Sequence, residues 1–180
     1  IWHYGAFKNM VFCKVGLETF LISIRFFYRH FSLVIISLIP SIIRAYQMLN
    51  PGTLVWLEGI VWIARGFLVL LIIRILPNRK INQLNDKHVW DKLCKACSIQ
   101  LKRNWPYGFF AQIIAFFILL FGFGNLLIMF ISWLFASIVA LTDDSDTVYQ
   151  ACVFFLKNVS IIPLKIVYFL NVCGLIPKSD

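Results

Sequence analysis

The chain has 180 residues, 61% of them hydrophobic and only 14% charged, and its mean hydropathy is +0.83. Soluble domains carry about 25% charged residues, so the composition excludes an ordinary soluble fold and points to a membrane protein. The formal charge of +9 does not indicate nucleic-acid binding, because Lys and Arg gather in short loops and at the ends of apolar runs, as the positive-inside rule requires.

Taken in order, the first residues hold no compact apolar core ahead of a small-residue cleavage site, so no cleavable signal is expected there. From Leu17 onward Leu17, Phe20, Leu21, Ile24, Tyr28 and Phe31 recur at three- and four-residue spacing, with Lys14, Glu18, Arg25 and Arg29 opposite. This predicts an amphipathic helix: either an interfacial element or the wet extension of the first span. The first span is expected at Phe31–Ile43, extended by Phe26–Tyr28 and Tyr46–Met48, with a kink at Pro40. Asn50-Pro51-Gly52 is a turn signal, and a second span from Thr53 to Leu76, stopped by Pro77, completes a hairpin.

Residues 78–106 form a basic loop, expected on the cytoplasmic or equivalent side. Within it Trp90, Leu93, Cys94, Cys97 and Leu101 share one helical face. Lys92, Lys95, Lys102 and Arg103 are candidate contacts for anionic lipid, each worth about 1 kcal/mol near a charged leaflet.

The longest uncharged run, Tyr107–Leu141, would be about 52 Å long as a single helix, against about 30 Å of hydrocarbon. Two readings follow: one overlong helix, giving four spans, or a hairpin turning at Gly122-Phe123-Gly124-Asn125, giving five. Five is preferred, because Ala96–Lys102 and Ala151–Lys157 look like a repeat, each an interfacial helix leading into a membrane hairpin. On this reading 1–77, 78–141 and 142–180 are three units of one transmembrane domain, the last holding the acidic Asp143-Asp144 turn, a third amphipathic segment and a span over Val159–Ile176. If 107–141 is one helix, residues 142–158 lie opposite the basic loop. The fold class is all-α and polytopic, with interfacial helices.

Charges inside apolar spans mark candidate sites, since one at the bilayer centre costs about 2.5–3.5 kcal/mol. Glu58, Arg65 and Lys165 are the candidate intramembrane polar contacts, and Arg74 is expected to snorkel to the interface. They can line a polar path or form ion pairs between spans; one acid among them leaves positive charge unbalanced. Cys94-Lys95-Ala96-Cys97 has no second pair to complete a zinc site and no βαβ context for redox chemistry, so packing is expected. No metal, cofactor or catalytic residue is assigned, and no HExxH, GxSxG or Walker pattern occurs. The expected function is therefore non-enzymatic: a membrane subunit that assembles with, anchors or regulates a larger complex, with the bilayer, anionic lipids and other membrane subunits as partners. A small transporter or permease component for an anionic or amphipathic substrate is the alternative, and a lipid-acting enzyme the third.

Overall fold

The computed structural model describes residues 2–50, 52, 55–75, 86–139 and 145–176, with side chains from Lys14 onward. Helices are Trp2–Arg29 (α1), Phe31–Leu49 (α2), Trp56–Ile75 (α3) and Lys87–Asn104 (α4). Tyr107–Val139 (α5) and Ser145–Val172 (α6) follow, and α2, α3, α5 and α6 are each long and apolar enough to cross a membrane. The chain is an all-α, multi-pass membrane protein with four such helices among the described residues.

The preferred fifth span is not formed. α5 runs through Gly122–Asn125 without a turn, as 33 helical residues whose centre, Phe116–Phe123, is π-helical. A turn there would leave backbone N–H and C=O groups facing hydrocarbon, where nothing can satisfy them; a continuous helix satisfies all of them. The four-residue spacing of Gln112, Phe116, Leu120, Gly124, Ile128, Ser132 and Ala136 explains the π turns. Of these seven, all but the half-buried Gly124 are buried. At 3.6 residues per turn such a stripe drifts around the helix, and the wider i→i+5 turns take back part of the drift.

The supposed third interfacial helix is likewise no separate element. Ser145–Leu156 is the first part of α6, so the three-unit repeat does not hold, and this segment lies at the end remote from α4. The stop at Pro77, the basic pair Arg79-Lys80 and the acidic Asp143-Asp144 fall outside the described residues.

Local chemistry sets several boundaries. The Asp86 carboxylate accepts the His88 N–H at 2.9 Å and caps α4. α6 closes in a Schellman turn: Gly174 adopts φ +68°, its N–H reaches Asn171 O at 2.8 Å, and Leu175 N–H reaches Leu170 O at 3.0 Å. His30 alone separates α1 from α2, so Phe26–Tyr28 belong to α1 rather than to the first span.

α1 packs on the bundle through small and hydroxylated residues rather than through its oily ones. Its buried line is Gly16, Thr19, Ser23 and Phe27, whereas Leu17, Leu21 and Tyr28 are about half exposed. In lipid, oily side chains gain little by leaving their surroundings, and helices associate through small residues and interhelical hydrogen bonds. α1 does both. Gly16 rests on Ala111 and Ala115 of α5, and Gln112 Nε2 donates to Thr19 Oγ1 at 3.1 Å. Asn171 Nδ2 of α6 donates to Thr19 O at 2.8 Å and Ser23 Oγ at 3.1 Å. The Tyr168 hydroxyl, 1% exposed, donates to Gln112 O at 2.7 Å. Further along, Ile22 and Phe26 face Ile75 of α3 and Ile176. The helix therefore crosses one end of the bundle, from α5 past α6 to α3.

A Cβ on Gly16 would lie 2.8 Å from Ala115 Cβ and 2.9 Å from Ala111 O. Backbone cannot yield as a side chain can, so Gly16→Ala should destabilise the chain by about 1–2 kcal/mol. Gly124→Ala meets mainly the flexible tip of Ile161, at 2.6 Å, and should lose less. Thermal unfolding of both variants in one detergent checks the order.

Candidate functional site

α3 carries Glu58 and Arg65 on one side, two turns apart. α2 supplies the partner that sequence reasoning missed, Arg44. Arg44 Nη2 donates to Glu58 Oε2 at 2.6 Å while Nη1 donates to Oε1, a bidentate pair of the geometry guanidinium and carboxylate prefer. Gln47 joins it: Arg44 Nη1 donates to Gln47 Oε1 at 3.0 Å, and Gln47 Nε2 lies 3.5 Å from Glu58 Oε1. Glu58 is thereby committed to Arg44, though it remains in electrostatic reach of Arg65.

Arg65, half way along α3, finds a neutral acceptor. Its Nη2 donates to Asn158 Oδ1 at 2.7 Å, its Nε is buried without an acceptor among the described residues, and its Cζ lies 5.7 Å from the Trp62 ring centroid. A cation over an aromatic face gains about 0.5–2 kcal/mol, which reduces the cost of burial without supplying a countercharge.

The placement of Asn158 follows from a defect in α6. Pro163 has no N–H, so Val159 O loses its normal helical donor. Lys157–Ile161 is π-helical, with Ile162 N–H bonded to Lys157 O. Ser37 Oγ of α2 lies 3.3 Å from the spare Val159 carbonyl, and Asn158 Nδ2 donates back to Phe154 O at 2.8 Å. The amide is thereby fixed with its oxygen towards Arg65. Buried Ser37 and Ser41 let α2 approach closely here.

Lys165 is elsewhere. Its Nζ lies 3.9 Å from the Phe121 ring centroid of α5, and it forms no ion pair among the described residues. The structure thus pairs Glu58 with Arg44 and Arg65 with Asn158, and leaves Lys165 against α5. Arg74 is exposed near the end of α3.

At the end crossed by α1, Lys92, Lys95, Lys102 and Arg103 of α4 all point outward, as their spacing predicts. The opposite face differs in part from expectation: Leu93, Cys97 and Leu101 are half-buried, as is Gln100, while Trp90 and Cys94 are exposed. Gln100 packs where a Cβ on Gly174 would stand, 2.6 Å from its Cγ. Cys97 of the CxxC meets Cys173 rather than Cys94; burial, with the neighbouring Cys97 thiol second, pushes the Cys173 thiol up to about 12. That thiol stays protonated and poorly nucleophilic at neutral pH. The described residues hold no group of three or more His, Cys, Asp or Glu able to bind a metal.

At the far end, a cleft of about 540 Å³ lies between α2, α5 and α6, walled by Ala45, Ile131, Phe135, Ala151, Cys152 and Phe155. No family model, no curated protein and no solved structure matches this chain, so its own geometry carries the functional argument.

Proposed function

We propose that this chain is a non-enzymatic membrane subunit that docks against another membrane protein through the Arg65 flank of α3. The observation supporting this reading is the charge balance of the α2–α3–α6 cluster. Arg44 and Glu58 neutralise each other, and Arg65 keeps a full positive charge against a neutral amide. A cation in the middle of a span needs a compensating group, and an acidic side chain on a neighbouring helix would supply it. On the same side of α3 as Arg65, three residues before and four after it, stand exposed Trp62 and half-buried Val69, an apolar surface suited to helix packing. A transport path through Glu58, Arg65 and Lys165 is less well supported, because Lys165 faces Phe121 instead of joining the other two. By the positive-inside rule the end bearing α4 faces the cytoplasm or its equivalent.

A photo-crosslinking residue in place of Val69, half-buried and one turn beyond Arg65 on the same side, tests the docking. In native membranes it should capture a protein whose linked segment contains an in-span Asp or Glu, and Arg65→Gln should abolish the adduct. Lipid adducts alone, with the chain purifying as a monomer in mild detergent, would overturn the reading.

A further inference from the structure

A second basic cluster lies at the junction of α1 and α2, away from the Arg65 site and separate from the outward lysines of α4. A cavity of about 260 Å³ is lined by Arg25, Arg29 and His30 together with Phe26, Ile75 and Ile176. Arg25 and Arg29 are one turn apart on α1, so their guanidiniums leave the helix on the same side. Among the described residues neither forms an ion pair. The His30 ring has a settled orientation. Its Nδ1 lies 2.8 Å from Phe26 O and must carry hydrogen to bond a carbonyl, which leaves Nε2 as the free nitrogen. The ring also packs on Phe26, with centroids 4.5 Å apart.

The same junction opens α2. His30 stands at its N-cap, makes no side-chain capping bond, and accepts the Leu33 N–H on its carbonyl at 2.8 Å. Two guanidiniums and an imidazole ring therefore meet around one small cavity. Both guanidiniums favour an anion, and their planar forks match the oxygens of a phosphate, while Nε2 of the neutral His30 ring accepts, as from a head-group hydroxyl. The remaining walls are hydrocarbon: Phe26, Ile75 and Ile176. Just outside, α1 and α2 present Leu21, Tyr28 and Phe31, all more than half exposed. An inorganic ion would use the charges and leave these apolar surfaces unmatched.

The geometry points to a binding site for the phosphate of an anionic amphiphile, the head held by Arg25, Arg29 and His30 and an acyl chain lying along Leu21 and Tyr28. The cavity accommodates a phosphate and its immediate substituents, and the chains remain in the bilayer. This differs from general attraction of α4 to an anionic leaflet, because cavity shape contributes as well as charge.

The test uses the full chain in mild detergent, titrated separately with phosphatidylglycerol, phosphatidylcholine and inorganic phosphate, with bound species counted by native mass spectrometry. Retention of phosphatidylglycerol, little retention of phosphatidylcholine and no competition from millimolar inorganic phosphate are expected. Arg25→Gln/Arg29→Gln should weaken phosphatidylglycerol binding by about tenfold or more, the worth of a charge-assisted hydrogen bond. Lys92→Gln/Lys95→Gln removes the same charge from α4 and should leave binding within about twofold of the parent chain. Ile75→Trp keeps every charge but fills the cavity, and should also lose the lipid. If both charge variants weaken binding equally, or if Ile75→Trp binds as the parent does, the cavity is not the site. If inorganic phosphate displaces the lipid, the anion chemistry stands but its source is free phosphate, which overturns the lipid assignment.

Discussion

Asn158→Leu should destabilise the folded chain by about 2–4 kcal/mol, the range for removing one partner of a buried charged contact. The side chain is 3% exposed and provides the one acceptor that Arg65 has among the described side chains, at 2.7 Å. Leucine matches it in bulk but leaves Nη2 as unpaired as Nε already is. An ordinary interhelical hydrogen bond in a membrane is worth only about 0.6 kcal/mol; the larger figure arises because the orphaned group is a cation. The companion variant decides the cause. Arg65→Met in the Asn158→Leu background removes the charge together with its acceptor and should recover most of the loss. Reversible unfolding in mixed micelles measures both. If single and double variants are equally unstable, packing around Asn158 and not the Arg65 charge is responsible.

Glu58→Gln should be the next most damaging change, at about 2–3 kcal/mol. It removes the carboxylate that binds Arg44 in two places and sits two turns from Arg65 on α3. The Arg44 side chain is 21% exposed and that of Glu58 40%, so the loss should fall short of that for a fully enclosed pair. Exchanging the two, Arg44→Glu with Glu58→Arg, keeps the pair but moves the positive charge, and should restore at least half of the loss. A double-mutant cycle with Arg44→Met separates the pair's coupling from the rest. Coupling below about 0.5 kcal/mol, the range in which independent sites add, would show the pair to be incidental.

Hydropathy made the membrane class and the apolar runs legible, because about 20 mostly apolar residues in a row suit a membrane span and little else. Glu58, Arg65 and Lys165 were visible for the complementary reason: a charge is costly in such a run. Their partners were not visible. Arg65 and Asn158 are 93 residues apart and Arg44 and Glu58 are 14 apart, and no local pattern links such positions. The amphipathic face of α1 was legible in its apolar spacing, but it is not the face that packs on the bundle. In lipid the small and hydroxylated line Gly16, Thr19 and Ser23 turns inward instead. At Gly122-Phe123-Gly124-Asn125 the local turn signal competed with a longer one, the unbroken four-residue period from Gln112 to Ala136. That period carries directly through the apparent turn, but it is a pattern of burial among chemically unlike residues and so was not visible in the sequence.

The crossing helices differ in length, 19 and 20 residues for α2 and α3 against 33 and 28 for α5 and α6. At about 1.5 Å per residue the first pair is about 30 Å long and α5 close to 50 Å. The two sides of the protein therefore ask different things of the surrounding lipid. Beside α2 and α3 a bilayer of ordinary thickness suffices. Beside α5, whose outer surface carries Phe117, Phe123, Phe130 and Trp133, the membrane must swell or the helix must lean. Each ångström left unmatched costs a fraction of a kcal/mol. Such a chain carries a thickness gradient around its rim, favouring neighbours and membrane regions that relieve the strain on the α5 side.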